Sequence, residues 1–290
     1  MDDNDITRRD FVNMTVAAGL AAAAGSDLAG QQHVVETNVE IKTPDGTCDA
    51  AFIHPASGAH PAVIIWPDAF GLRPSMRGLA RRLAADGGYS VLVPNPFYRV
   101  AKAPVFEDAS NFSFADPAQR SKLTPLMGSI NASGAAEKDA AAFVAWLDTQ
   151  KQVDRSKKIG TQGYCMGGAL VVRTAAAVPN RIGAGASFHG GGLVTQSPES
   201  PHLLASKIKG RMYFGIATND DAQQPDAKTK LKESFDAAKV PAEIEVYSQA
   251  QHGWCVSDMP KQPNGQPIYS KADADRAWAK LLALYKAALA

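Results

Sequence analysis

Apolar positions along this chain fall into short blocks of two kinds, and the two kinds alternate. "PAVIIW" and "YSVLVP" are continuous apolar runs of strand length, the pattern of strands covered on both faces. Between them, "SMRGLARRLAAD" spaces its apolar residues by three and four, which predicts a helix that Gly87 and Gly88 end. Residues 134–150 are helical by propensity. "KKIGTQGY" then leads into a strand and "ALVVRTAAAV" into a helix. "IGAGASFHG" and "RMYFGIA" read as strands, "DAKTKLKESFDAAK" as a helix and "AEIEVYS" as the next strand. Trp278, Leu281, Leu282, Tyr285 and Leu289 form one apolar face of a C-terminal helix. Near the start, "NVEIKTPDGTCDAAFIH" alternates on both sides of a Pro44-Asp45-Gly46 turn and predicts a hairpin. The whole predicts an α/β fold: a mostly parallel central sheet, helices on both faces and an antiparallel N-terminal edge hairpin. Residues 100–133 break the alternation. A long, weakly patterned insertion of this sort is either a cap or binding loop, or a surface excursion.

The first 30 residues differ in kind. "ITRRDFVNMTVAAGLAAAAG" places Arg8 and Arg9 ahead of a short run of small apolar residues, the layout of an export signal. That run is shorter than the roughly 20 residues a membrane-spanning helix needs, so no stable membrane anchor is expected. "TRRDFV" resembles the twin-arginine motif, which implies the twin-arginine export machinery as a partner and a periplasmic or secreted product. Several small-residue positions between Ala21 and Gly30 suit cleavage, leaving residues 31–290 as a single domain. A formal net charge of +1 without a basic stripe argues against nucleic acid or an anionic membrane surface as a partner. The three cysteines, Cys48, Cys165 and Cys255, are too few and too scattered for a disulfide framework or zinc ribbon. Cys255 follows His252 by three residues, but no second pair completes a metal site, and no metal or organic cofactor is expected.

Candidate chemistry concentrates at "GYCMGG", where a predicted strand turns into a predicted helix. One hydrolase architecture places its nucleophile at such a glycine-flanked turn, usually as G-x-S-x-G; here Cys165 holds the middle position. A thiol attacks as thiolate, and an ordinary thiol titrates near about 8.5, so it needs a helix N-terminus and a histidine to help it. The helix behind Cys165 supplies the first and points the backbone N–H of Met166 toward a developing oxyanion. The partners follow in the order nucleophile, acid, histidine. "YFGIATNDD" ends a strand with Asp220 or Asp221, and "SQAQHGW" offers His252 after the next strand. Ligand sites of parallel sheets gather at these strand ends. Of the six histidines, only His189 in "FHGGG" rivals His252 as base, and a polar role in its glycine-rich loop is the simpler reading.

Together "WPDAFGL", "VPNPFYR", "GYCMGGAL" and the "ND" and "QHG" corners resemble the dienelactone hydrolase family of the α/β-hydrolases, over roughly residues 35–290. The resemblance implies an α/β-hydrolase fold and a carboxylic ester hydrolase cleaving a small ester or lactone. Cys165 is then the nucleophile, Asp220 (the first acid after its strand) the orienting acid and His252 the base, with the Ala69 N–H beside that of Met166 in the oxyanion hole. The resemblance also assigns Asp68 to the place of a glutamate that holds the resting thiol, and Arg99 to one of two arginines that bind a substrate carboxylate. Val256 stands where the second arginine belongs, which puts recognition of a carboxylate in question. Phe70 and Trp254, flanking motif residues, read as pocket walls. The rival class is a non-catalytic small-molecule binder on the same fold. A thiol redox protein is disfavoured because the chain has no C-x-x-C.

Overall fold

The computed structural model describes residues 33–290; the Arg8–Arg9 segment and the expected cleavage region lie outside them. The chain opens with a long hairpin, β1 (Val34–Thr43) and β2 (Gly46–Pro55), in the register Val39↔Ala50. It turns at Pro44-Asp45 as the pattern predicts. There follow β3 (Ala62–Trp66), α1 (Pro74–Gly87), β4 (Ser90–Pro94), α2 (Pro117–Asn131), α3 (Ala135–Leu147), β5 (Ile159–Tyr164) and α4 (Met166–Ala177). The last part comprises β6 (Ile182–Phe188), β7 (Arg211–Ala217), α5 (Thr218–Gln223), α6 (Ala227–Ala237), β8 (Ala242–Tyr247) and α7 (Lys271–Leu289). The eight strands form one sheet in the order β1-β2-β4-β3-β5-β6-β7-β8. The hairpin joins β4 antiparallel, and every pairing from β4 to β8 is parallel.

All five residues of β3 are buried, and the pleat sends alternate side chains to opposite cores. Ala62, Ile64 and Trp66 pack with Phe143 of α3, Leu170 of α4 and Leu231 of α6. Val63 and Ile65 pack with Leu83 of α1 and Leu281 and Tyr285 of α7. This double burial is why the central strands read as unbroken apolar runs.

The insertion contains the helix α2, which its weak pattern did not predict. Pro117 opens α2, and the Asp116 carboxylate caps it by accepting the Ala118 N–H at 2.8 Å. Its buried residues, Leu123, Leu126 and Ile130, occupy only the later turns, and Pro125 interrupts them. In the loop before α2, Phe106 and Phe112 pack edge-on against Phe70, at ring-centre distances of 5.5 and 5.0 Å, so the insertion is anchored on the loop after β3.

Candidate active site

Parallel strands deliver their carboxyl ends to one edge of the sheet, and the loops after β3, β5, β7 and β8 meet there. Between β5 and α4, Cys165 adopts φ 53° and ψ −118°, a conformation that costs a non-glycine residue about 1–3 kcal/mol and persists only where neighbours enforce it. The neighbours are visible. The Cys165 N–H donates to the Phe188 carbonyl and to His189 Nδ1, both at 3.1 Å, while its carbonyl accepts the N–H groups of Gly168 and Gly191 at 3.0 and 3.1 Å. Two glycines make the turn sterically feasible. A Cβ on Gly163 would lie 2.1 Å from the Gly167 carbonyl oxygen, and one on Gly167 would lie 2.4 Å from that of Trp66.

His252 sits after β8, its N–H held by Asn219 Oδ1 at 2.8 Å. Its Nδ1 faces the Asp220 carboxylate at 2.8 and 3.0 Å. Burial works against the imidazolium, but the neighbouring Cys165 sulfur and the Asp220 carboxylate outweigh it and push its pKa up to about 10. Helix α5 separates the two candidate acids. Consecutive residues of a helix point about 100° apart, so Asp220 turns to His252 while Asp221 grips Lys228 Nζ at 2.6 and 2.7 Å. The N–H of Met166 opens α4 and has no intrahelical acceptor. Neither it nor the Ala69 N–H is used in a backbone hydrogen bond among the described residues.

His189 has a place that sequence reasoning undervalued. It is fully buried, its ring lies 4.8 Å from that of His252, and its Nδ1 accepts the Cys165 N–H. Burial first, then His252, hold its pKa well below the ordinary value, so it is a neutral support under the elbow. Its position at the end of β6, next to the elbow strand β5, was the available signal.

Four residues assigned to the thiol or the pocket are committed elsewhere. Asp68 is buried and paired with Arg73 through two contacts of 2.7 and 3.0 Å, while its Oδ1 also accepts the Phe70 N–H at 2.9 Å. The same guanidinium holds Asp258 at 2.7 and 2.8 Å. Asp68 therefore shapes the Ala69 loop and ties it to the loop that carries His252, instead of latching the thiol. Arg99 is spent on Asp139 and Asp45, at 2.7 and 2.8 Å. Phe70 faces the insertion's aromatic cluster, and Trp254 is wholly buried, stacked on Tyr247 and edge-on to His189.

The open space at Cys165 is a cleft of about 400 Å³ along α4. Met127, Ile130 and Asn131 of α2 line it together with Gly191 and Thr195, so the insertion does build part of the cavity.

This sheet, with its strained turn between β5 and α4 and its antiparallel N-terminal strands, defines an α/β-hydrolase fold. Within that class the profile of the dienelactone hydrolase family matches residues 48–289, and the chain belongs to that family. A provisionally named carboxymethylenebutenolidase of Synechocystis sp. is 27% identical over 240 residues, covering 81% of this chain and 89% of the relative. The carboxymethylenebutenolidase of Rhodococcus opacus is also 27% identical, covering 73% and 78%. Among solved structures, the dienelactone hydrolase-like promiscuous phosphotriesterase P91 from metagenomic libraries superposes with a TM-score of 0.71 at 24% identity, covering 89% of this chain and 99% of P91.

Proposed function

We propose that this chain hydrolyses small carboxylic esters or lactones through Cys165, His252 and Asp220, by way of an acyl-enzyme. The observation that carries the reading is the convergence of an enforced, strained Cys165 with a histidine whose far nitrogen is bound by Asp220. With Nδ1 tied to Asp220, the other ring nitrogen, Nε2, serves the sulfur. Proton transfer from thiol to imidazole gives a thiolate–imidazolium pair, which the raised His252 pKa favours. The thiolate forms a bond to the carbonyl carbon, and the electron pair moves onto the carbonyl oxygen, which the Ala69 and Met166 N–H groups receive. Collapse of this intermediate expels the alkoxide, which takes the imidazolium proton. His252 then removes a proton from water as the water attacks the thioester, and the acid leaves with the thiolate restored.

Cys165→Ala should abolish turnover of a phenyl ester while the fold survives, and a slowly released ester should be found by mass spectrometry on Cys165. Turnover by the alanine variant at the wild-type rate would defeat the proposal. We also propose that the protein is exported, on the strength of the "TRRDFV" segment. Replacing Arg8 and Arg9 by Lys should leave precursor in the cytoplasm, and equal export of both forms would reject that reading.

A further inference from the structure

Charges around the cleft determine which esters suit it. Cys165 lines it at the cap of α4, and Met166, Ala169, Leu170 and Arg173 line it from that helix. Arg173 lies eight residues beyond Cys165, which is roughly 12 Å of helix rise. The cleft is therefore apolar next to the sulfur and polar at its far end.

Among the described residues its charged lining side chains are Arg173, Glu137 and Glu199. Arg173 is already engaged: one nitrogen donates to Glu137 Oε1 at 2.8 Å and another to the Glu199 carbonyl at 2.9 Å. The Glu199 carboxylate accepts the Ser133 hydroxyl at 2.9 Å and meets no cation in the cleft. Among the described residues the lining thus carries one net negative charge, and its sole guanidinium is paired with Glu137. Two other arginines near the site are, among the described residues, absent from the cleft: Arg99 is bound to Asp45 and Asp139, and Arg73 to Asp68 and Asp258, while the apolar Val256 supplies no charge.

We infer that this cleft takes uncharged esters with an apolar stem and disfavours esters that end in a carboxylate. The inference rests on the proposed hydrolysis and specifies its substrate class. A carboxylate entering the far end would lose water, meet Glu137 and Glu199, and gain only a guanidinium that is already paired.

The test uses p-nitrophenyl suberate with its second carboxyl free or methylated. The methyl ester should have the higher kcat/KM, by about tenfold, and the difference should shrink at high salt. Glu137→Gln leaves Arg173 charged without its carboxylate partner, so it should narrow the ratio several-fold by improving the acid. An acid that is turned over as well as the methyl ester, or a ratio unmoved by Glu137→Gln, would overturn the inference while leaving the hydrolase reading intact. A second measurement does not depend on turnover: protection of Cys165 from iodoacetamide by octanol against octanoate, read by peptide mass spectrometry. Better protection by octanol supports the inference even if neither suberate is cleaved, an outcome that would sink the hydrolase reading alone. Equal protection counts against the inference.

Discussion

Removing Arg73 should damage this protein in two separable ways. Its guanidinium is fully buried and makes paired contacts with Asp68 on one side and Asp258 on the other, all between 2.7 and 3.0 Å. Arg73→Met keeps much of the volume but leaves Asp68, itself 1% exposed, as a buried charge without a counterion. Breaking a buried pair in this way costs about 3–5 kcal/mol, because the remaining charge keeps its desolvation penalty and loses its compensation. Asp258 contributes less to that cost because its side chain is 18% exposed.

The second effect is on rate. Asp68 also accepts the Phe70 N–H, so the turn that presents the Ala69 N–H depends on the same carboxylate. If that donor swings away from the oxyanion we propose it holds, the loss of one such hydrogen bond should lower kcat by about 10²–10³. KM for a small ester should change little, because Arg73 does not line the cleft. The assays are a urea unfolding midpoint and the hydrolysis of p-nitrophenyl acetate. The triple variant Asp68→Asn, Arg73→Met, Asp258→Asn removes every charge of the cluster. It should regain much of the stability but not the rate, since stability follows charge compensation and rate follows loop geometry. Destabilisation of Arg73→Met below about 1 kcal/mol with kcat unchanged would refute the reasoning, because a loss that small is typical of an exposed pair.

Asp220→Asn should lower kcat by several orders of magnitude, whereas Asp221→Asn should leave it near wild type and cost at most about 1 kcal/mol of stability, since Asp221 holds only the partly exposed Lys228; steady-state kinetics of the two variants checks this, and the reverse order would shift the corner by one residue. Because the folded-state pKa of His252 is raised from 6.5 to about 10, its contribution to stability is fully present below about pH 6.5 and is lost as pH rises through about 10. Cys165→Ala removes one cause of the rise, so urea midpoints between pH 6.5 and 10 should fall less steeply for the variant than for wild type; parallel profiles would count against a thiolate–imidazolium pair.

What the sequence revealed and what it hid follow from the range of the interactions involved. The sheet was legible because burial on both faces writes itself as continuous apolar runs, as in "AVIIW" of β3. The elbow was legible because it demands glycines at fixed spacing around Cys165: a side chain at Gly163 would strike the carbonyl of Gly167 in the same turn, and one at Gly167 the carbonyl of Trp66 on the adjacent strand. Helix α2 was obscured by Pro125 and by its polar first turns, although Asp116-Pro117 is a recognisable start signal. Ionic commitments are another matter. Nothing near "WPDAFGLR" announces that Asp68 is paired with an arginine five residues on and, through it, with Asp258, which is 185 residues from Arg73 in the chain. Likewise Arg99 matched a substrate-binding position by motif, yet its destination depends on Asp139, a buried acid on α3, which packs against β1. A motif can therefore supply the residue type at a strand end without determining which partner takes its charge. That partner decides whether an arginine is free to hold a substrate anion, and here Arg73, Arg99 and Arg173 are all already held by the protein's own acids.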